Sequence, residues 1–150
     1  MRWIWLVVAV ACGKPADPPP ATHEDRHDQP VAVAPSLALT ITIAGATSTW
    51  HDDAFAATPK LTGAASDGEA RDTWSLRELV HRNLGPTARV TAVTSAAGKQ
   101  SIDAAAWDDA SKIPILHTTK RGTLKFRWAD PSGKWGETVL KDVTGLEVAR

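Results

Sequence analysis

Asp72-Thr73-Trp74-Ser75-Leu76-Arg77-Glu78-Leu79-Val80 reads as the start of a helix, and the rest of the chain is placed around it. Ser75 and Glu78 stand in the S-x-x-E spacing, in which each side chain can satisfy an unpaired backbone N–H of the first turn. Trp74 just before the cap and Leu79 four residues beyond it form the hydrophobic-staple pair. Leu76, Leu79 and Val80 recur at i, i+3, i+4 and give one apolar face. The helix must end by Asn83-Leu84-Gly85-Pro86, because Gly closes helices and Pro cannot continue one.

Strand signals surround this helix. Leu37, Leu39, Ile41 and Ile43 alternate with Ala38, Thr40, Thr42 and Ala44, the period of a half-buried strand that Gly45 ends. Thr49 to Phe55 reads as a turn or short second strand, and Thr62 to Asp72 as an exposed loop. Ala88–Thr94 is a further strand, followed by a turn at Ala97-Gly98. Asp103 to Ala110 makes one or two helical turns capped by Asp103, with Trp107 inward. Ile113–His117 is extended, with Pro114 confining it to an edge or a strand start. Lys120-Arg121-Gly122-Thr123 is a hairpin turn into Leu124-Lys125-Phe126-Arg127-Trp128, where apolar and basic side chains take opposite faces. Asp130-Pro131-Ser132-Gly133 is the next turn, and Thr138–Leu140 and Leu146–Val148 close the chain as two short strands. The expected fold class is α+β, a mainly antiparallel sheet with one principal helix.

At 150 residues, 43% hydrophobic and 23% charged, the chain suits one globular domain of ordinary size. Formal charge is zero, and Lys and Arg nearly balance Asp and Glu over residues 36–150, so no net field attracts nucleic acid. The lone cysteine is Cys12, which excludes an internal disulfide and a cysteine-rich metal site. Arg2, the apolar run Trp3–Val10 and small residues up to Cys12 resemble a bacterial lipoprotein signal peptide. That resemblance implies removal of residues 1–11 and lipidation of Cys12, which would anchor the protein in the cell envelope facing the periplasm or exterior. Several acyl chains, at about 0.8 kcal/mol per buried CH₂, give stable anchoring where one chain is marginal. Residues 12–35 then form a Pro-rich linker, semi-rigid and up to roughly 70 Å long. It contains His23-Glu24-Asp25-Arg26-His27, a literal HExxH, but prolines bracket it and no apolar face supports the helix that such a zinc site requires. The domain occupies residues 36–150.

The order of segments in that domain is similar to the small molybdopterin-binding, sulfite-oxidase-like oxidoreductase domains. It is carried by the opening strand, Pro59-Lys60-Leu61, the Trp74–Leu79 helix, Val90–Thr94 with Ser95-Ala96-Ala97-Gly98, Ile115-Leu116 and Val143-Thr144-Gly145-Leu146-Glu147-Val148. The resemblance implies a molybdopterin-type cofactor; the residues themselves point to no cofactor and no metal. Catalytic members hold molybdenum through a cysteine thiolate, and nothing after Cys12 can do so. The expectation is therefore a non-catalytic domain that binds a ligand or an envelope protein partner. The alternative is a redox enzyme, or a subunit of a redox complex, whose cofactor is held without a protein cysteine.

Candidate ligand-binding residues are Trp50 and His51, next to Asp52 and Asp53, together with Lys125, Arg127 and Trp128. The two carboxylates, adjacent on an extended segment, would face opposite ways and form no acid–base pair. Lys112, Lys120, Arg121, Lys125, Arg127 and Lys134 leave the hairpin region basic with Trp128 and Trp135 interleaved, a combination suited to an anionic small ligand or a membrane headgroup.

Overall fold

A computed structural model describes residues 36–62 and 70–150, all within one compact unit, Val33–Arg150. The signal segment, Cys12, the linker with its HExxH motif, and most of the 62–72 loop lie outside the described residues. Among the described residues the fold is α+β: eight strands and three helices in the order β1 (Leu39–Ile43), β2 (Ala46–Trp50), α1 (Asp52–Ala56), β3 (Thr73–Ser75), α2 (Leu76–Leu84), β4 (Arg89–Ser95), β5 (Gly98–Ser101), α3 (Ala104–Asp108), β6 (Ile113–Thr118), β7 (Leu124–Ala129) and β8 (Trp135–Ala149).

Helix α2 begins where the capping pattern places it. Ser75 Oγ accepts the Glu78 N–H at 3.4 Å, and Gly85 closes the helix at φ +99°. The reciprocal half of the capping box is not made, because the Glu78 carboxylate receives the Arg82 side chain at 2.6 Å. Nine residues are too few for a helix to persist alone in water. Burial sustains it: Leu76, Leu79 and Val80 are fully buried, each contributing about 1.5–3 kcal/mol on transfer from water. The helix packs against β3, β4 and β6. Arg77 leaves this face and donates to the Asp109 and Lys112 carbonyls at 2.8 and 2.9 Å, tying α2 to the segment between α3 and β6.

The strands form one curled sheet along the path β2-β1-β8-β7-β6-β3, with β4 on β8 and β5 on β4. All pairings are antiparallel except β1 with β8. The two short closing strands expected from the sequence are one 15-residue strand, β8. It pairs with β7 along Trp135–Val143, then with β4 and β1 along its second half. Asp142, at φ +51°, sits at this exchange of partners.

Two further segments depart from the sequence reading. Ala44-Gly45 is a two-residue hairpin turn with both φ angles positive (48° and 86°), so β1 reverses into β2. Asp52 and Asp53 open a one-turn helix rather than lying on a strand; negative charge suits that position. The Asp52 carboxylate accepts the Leu37 N–H at 2.8 Å and fixes the start of β1. Pro114 agrees with the expectation. Strand β3 pairs β6 only at Ile115–His117, so Pro114, opposite Trp128 of β7, has no neighbour there needing its missing N–H.

Candidate functional site

Of the residues expected to bind ligand, Lys125, Arg127 and Trp128 share β7, whereas Trp50 ends β2 and His51 follows it. Strands β1 and β8 lie between the two groups in the sheet. Trp50 packs half-buried against the core, and His51 is exposed at the N-terminus of α1 without a side-chain capping bond. The structure therefore does not bring the two groups together.

Alternation along β7 divides its own residues again. Leu124 and Phe126 enter the core, and Trp128 meets Phe126 edge-on at 5.6 Å. Lys125 and Arg127 face the other way. Arg127 is committed to β8: it donates to the Gly136 carbonyl at 3.2 Å and to Thr138 Oγ1, and its guanidinium lies 5.3 Å from the Trp135 ring. Trp135 also stacks on His117 at 4.7 Å, with 31° between the planes. These contacts make a layer of His117, Trp135 and Arg127 across β6, β7 and β8.

His117 is 3% exposed. Its Nδ1 lies 3.0 Å from the Thr118 carbonyl oxygen, which can only accept, so Nδ1 carries the proton and buried Nε2 has no partner among the described residues. Burial pushes the imidazole pKa down, and Arg127, Lys125 and Arg71 push it further, against the opposing Thr118 hydrogen bond. As pH falls through the ordinary histidine range near about 6.5, the unfolded chain takes up its proton first. This contribution to stability is thus complete above that range and is lost as pH falls through it towards the folded-state value. Unfolding free energies measured by urea denaturation from about pH 7.5 to 5 should fall less steeply in His117→Phe than in the parent. An unchanged pH slope would contradict a neutral buried ring.

A cleft of about 700 Å³ opens at the turn end of the β7–β8 hairpin. Trp128 and Trp135, from either side of the turn, line it together with Ile102 and Ala106. Its polar rim carries Lys112 and Lys134 against Asp103 and Asp130. Each carboxylate commits one oxygen to local structure: Asp103 Oδ1 accepts the Ala106 N–H at 2.7 Å, and Asp130 Oδ1 accepts from Ser132 and Lys134 of the turn. Hydrogen bonds from Ser132, the hydroxyl first, hold Asp130 below the usual carboxylate range. The second oxygens of both take no hydrogen bond among the described residues. The cleft is therefore apolar on its flanks, polar on its rim and balanced in charge. Sequence reasoning found Trp128 but did not select Trp135; its signal was a tryptophan directly after the Asp130–Lys134 turn.

Among the described residues no three His, Cys, Asp or Glu side chains converge as a metal site would require. A molybdopterin-type cofactor does not fit the residues present. Residues 36–150 supply no thiolate, and the cations suited to its phosphate surround a separate pocket at the β6–β7 turn that shares no lining residue with the aromatic cleft. Comparison with known proteins finds no matching family model, no matching curated protein and no matching solved structure.

Proposed function

We propose that this chain is an envelope-anchored lipoprotein whose β-rich domain binds, without transforming, a ring-shaped polar ligand of the saccharide class between Trp128 and Trp135. The supporting observation is the cleft itself. Its volume lies within the roughly 300–1,000 Å³ of small-molecule sites, which pair apolar flanks with a few placed polar groups. A sugar ring has an apolar C–H face that suits an indole, and a rim of hydroxyls that suits the lysines and the spare carboxylate oxygens. Balanced charge favours such a neutral ligand over an ion.

The anchor in this reading is Cys12, with residues 1–11 removed and residues 12–35 as spacer. Mass spectrometry of the protein from native envelopes is expected to find Cys12 acylated at a new N-terminus; an unmodified Cys12 would contradict the tether. The proposal also includes descent from sulfite-oxidase-like domains, supported by the succession of opening strand, capped helix and Val90–Thr94 strand, with the metal-ligating cysteine lost.

Calorimetric titration of the full chain with the disaccharide of N-acetylglucosamine tests the binding. Trp128→Ala is expected to weaken it at least tenfold, about 1.4 kcal/mol, while Trp50→Ala, at the other end of the sheet path, leaves it unchanged. No binding, or equal loss in both variants, would overturn the assignment.

A further inference from the structure

The β6–β7 turn meets β8 in a second concavity, of about 320 Å³, whose lining is strongly biased in charge. Arg71, Lys120, Arg121, Lys125 and Lys141 face it, and Asp142 is the one carboxylate among its described lining residues. These cations come from three distant parts of the sequence, so the fold, not local composition, gathers them. Arg71 and Lys120 have interactions of their own. The ion pairs among the described residues, Lys60–Asp72, Arg82–Glu78, Lys99–Glu147 and Lys112–Asp109, include none of Arg121, Lys125 and Lys141. Arg121, Lys125 and Lys141 repel one another, with Asp142 the one carboxylate beside them among the described residues, and an anion entering among them relieves that repulsion.

The turn beneath is cross-linked by hydrogen bonds and supplies a hydroxyl donor. Thr119 N–H donates to the Thr123 carbonyl at 2.8 Å, and Gly122, at φ +75°, donates to the Thr119 carbonyl at 3.0 Å. Thr119 Oγ1 accepts the Arg121 and Thr123 N–H groups, both at 3.2 Å, which occupy its two lone pairs. Its own proton therefore goes to Thr123 Oγ1, 2.8 Å away. The Thr123 hydroxyl proton is left for a ligand. Arg121 offers a planar fork to an oxyanion, and the lysines offer mobile point charges. Lys125, paired with His117 across β6 and β7, and Arg71 also help to hold the His117 pKa down.

We propose that this pocket binds a phosphate-class anion, a free phosphate or phosphomonoester or the phosphate of a lipid headgroup, between Arg121, Lys125, Lys141 and the Thr123 hydroxyl. It is independent of the saccharide cleft, with which it shares no lining residue. The tether of the proposed function, on which this point rests, would put lipid headgroups as well as soluble phosphates within reach.

The test is titration of the full chain with inorganic phosphate and with glycerol 3-phosphate at low ionic strength, where such binding is least screened. Both are expected to bind, and an Arg121→Ala, Lys141→Ala double variant is expected to weaken both at least tenfold. Thr123→Val, which removes only the hydroxyl donor, should weaken them by a smaller factor. Lys99→Gln, which removes one cation at Glu147 on another part of the surface, should change neither. Flotation with phosphatidylglycerol vesicles, compared between the parent chain and the double variant, separates the sources. A deficit in the double variant assigns a lipid headgroup, and equal flotation with intact phosphate binding assigns a soluble phosphate. Absence of phosphate binding, or equal weakening by Lys99→Gln, overturns the proposal. Trp128→Ala should leave phosphate binding intact, so failure here and failure of the saccharide reading are read separately.

Discussion

Replacement of Trp74 by alanine is expected to lower the unfolding free energy by about 3–5 kcal/mol, the usual range for deleting a buried large aromatic. That is a large part of the roughly 5–15 kcal/mol that holds a domain of this size together. Trp74 is 2% exposed and fills the junction of three elements. It pairs with Leu116 of β6 as part of β3, precedes the cap of α2, and tilts against Phe55 of α1 with ring centroids 5.0 Å apart. Its indole N–H donates to the Phe55 carbonyl at 3.1 Å. That carbonyl also accepts the Thr58 N–H at 3.1 Å, so Trp74→Phe would leave it bonded. The phenylalanine variant should therefore lose much less than the alanine variant, about 1 kcal/mol for the hydrogen bond plus the missing ring volume. Urea unfolding of both variants checks the pair. A loss below about 1 kcal/mol in Trp74→Ala would mean that this junction does not hold the helix to the sheet.

The second large effect is expected at Gly145, where β8 runs between β4 and β1 opposite Thr94 and Thr40. A Cβ at this position would meet Thr94 Oγ1 at 2.7 Å and the Thr40 carbonyl oxygen at 3.0 Å. The threonine can rotate away, but the carbonyl belongs to the strand. Gly145→Ala should thus cost about 1–3 kcal/mol as overpacking, and Gly145→Val more. Adding Thr94→Ala to Gly145→Ala should recover part of the loss, because it removes the nearer atom and leaves the backbone contact. A double-mutant cycle by thermal or urea unfolding measures that coupling directly. Additive losses would show that the two residues do not compete for the same space.

What the sequence revealed was mostly what local chemistry determines. The capping serine, the apolar i, i+3, i+4 face and Gly85 define α2 within the chain itself, as Asp103 does for α3 and Asp130-Pro131-Ser132-Gly133 for the β7–β8 turn. Strand β5 is illegible in the sequence and β2 is marked only at its Thr49-Trp50 end, because their residues are largely exposed and carry no alternation; they exist because β1 and β4 offer edges to pair with. Strand β8 reads as two pieces in the sequence because Lys141-Asp142 and Gly145 are poor strand residues. Pairing with β7, β4 and β1 carries the strand through them. The same limit governed the candidate sites. Alternation correctly separated Trp128 from Lys125 and Arg127, but no spacing could show that Arg127 would be bound to β8. Nor could any spacing show that Trp50 and His51 would lie away from β7, or that Arg71 and Lys141 would join Lys125 around one pocket.

Saccharide binding between Trp128 and Trp135, as proposed above, would be seen at the indoles themselves. The test is NMR of the indole N–H resonances of Trp50, Trp74, Trp107, Trp128 and Trp135 as the N-acetylglucosamine disaccharide is added. The Trp128 and Trp135 signals are expected to move together along a saturating curve, while those of Trp74 and Trp107, buried in the core, stay in place. Signals that all remain still, or a response confined to Trp50, would contradict it.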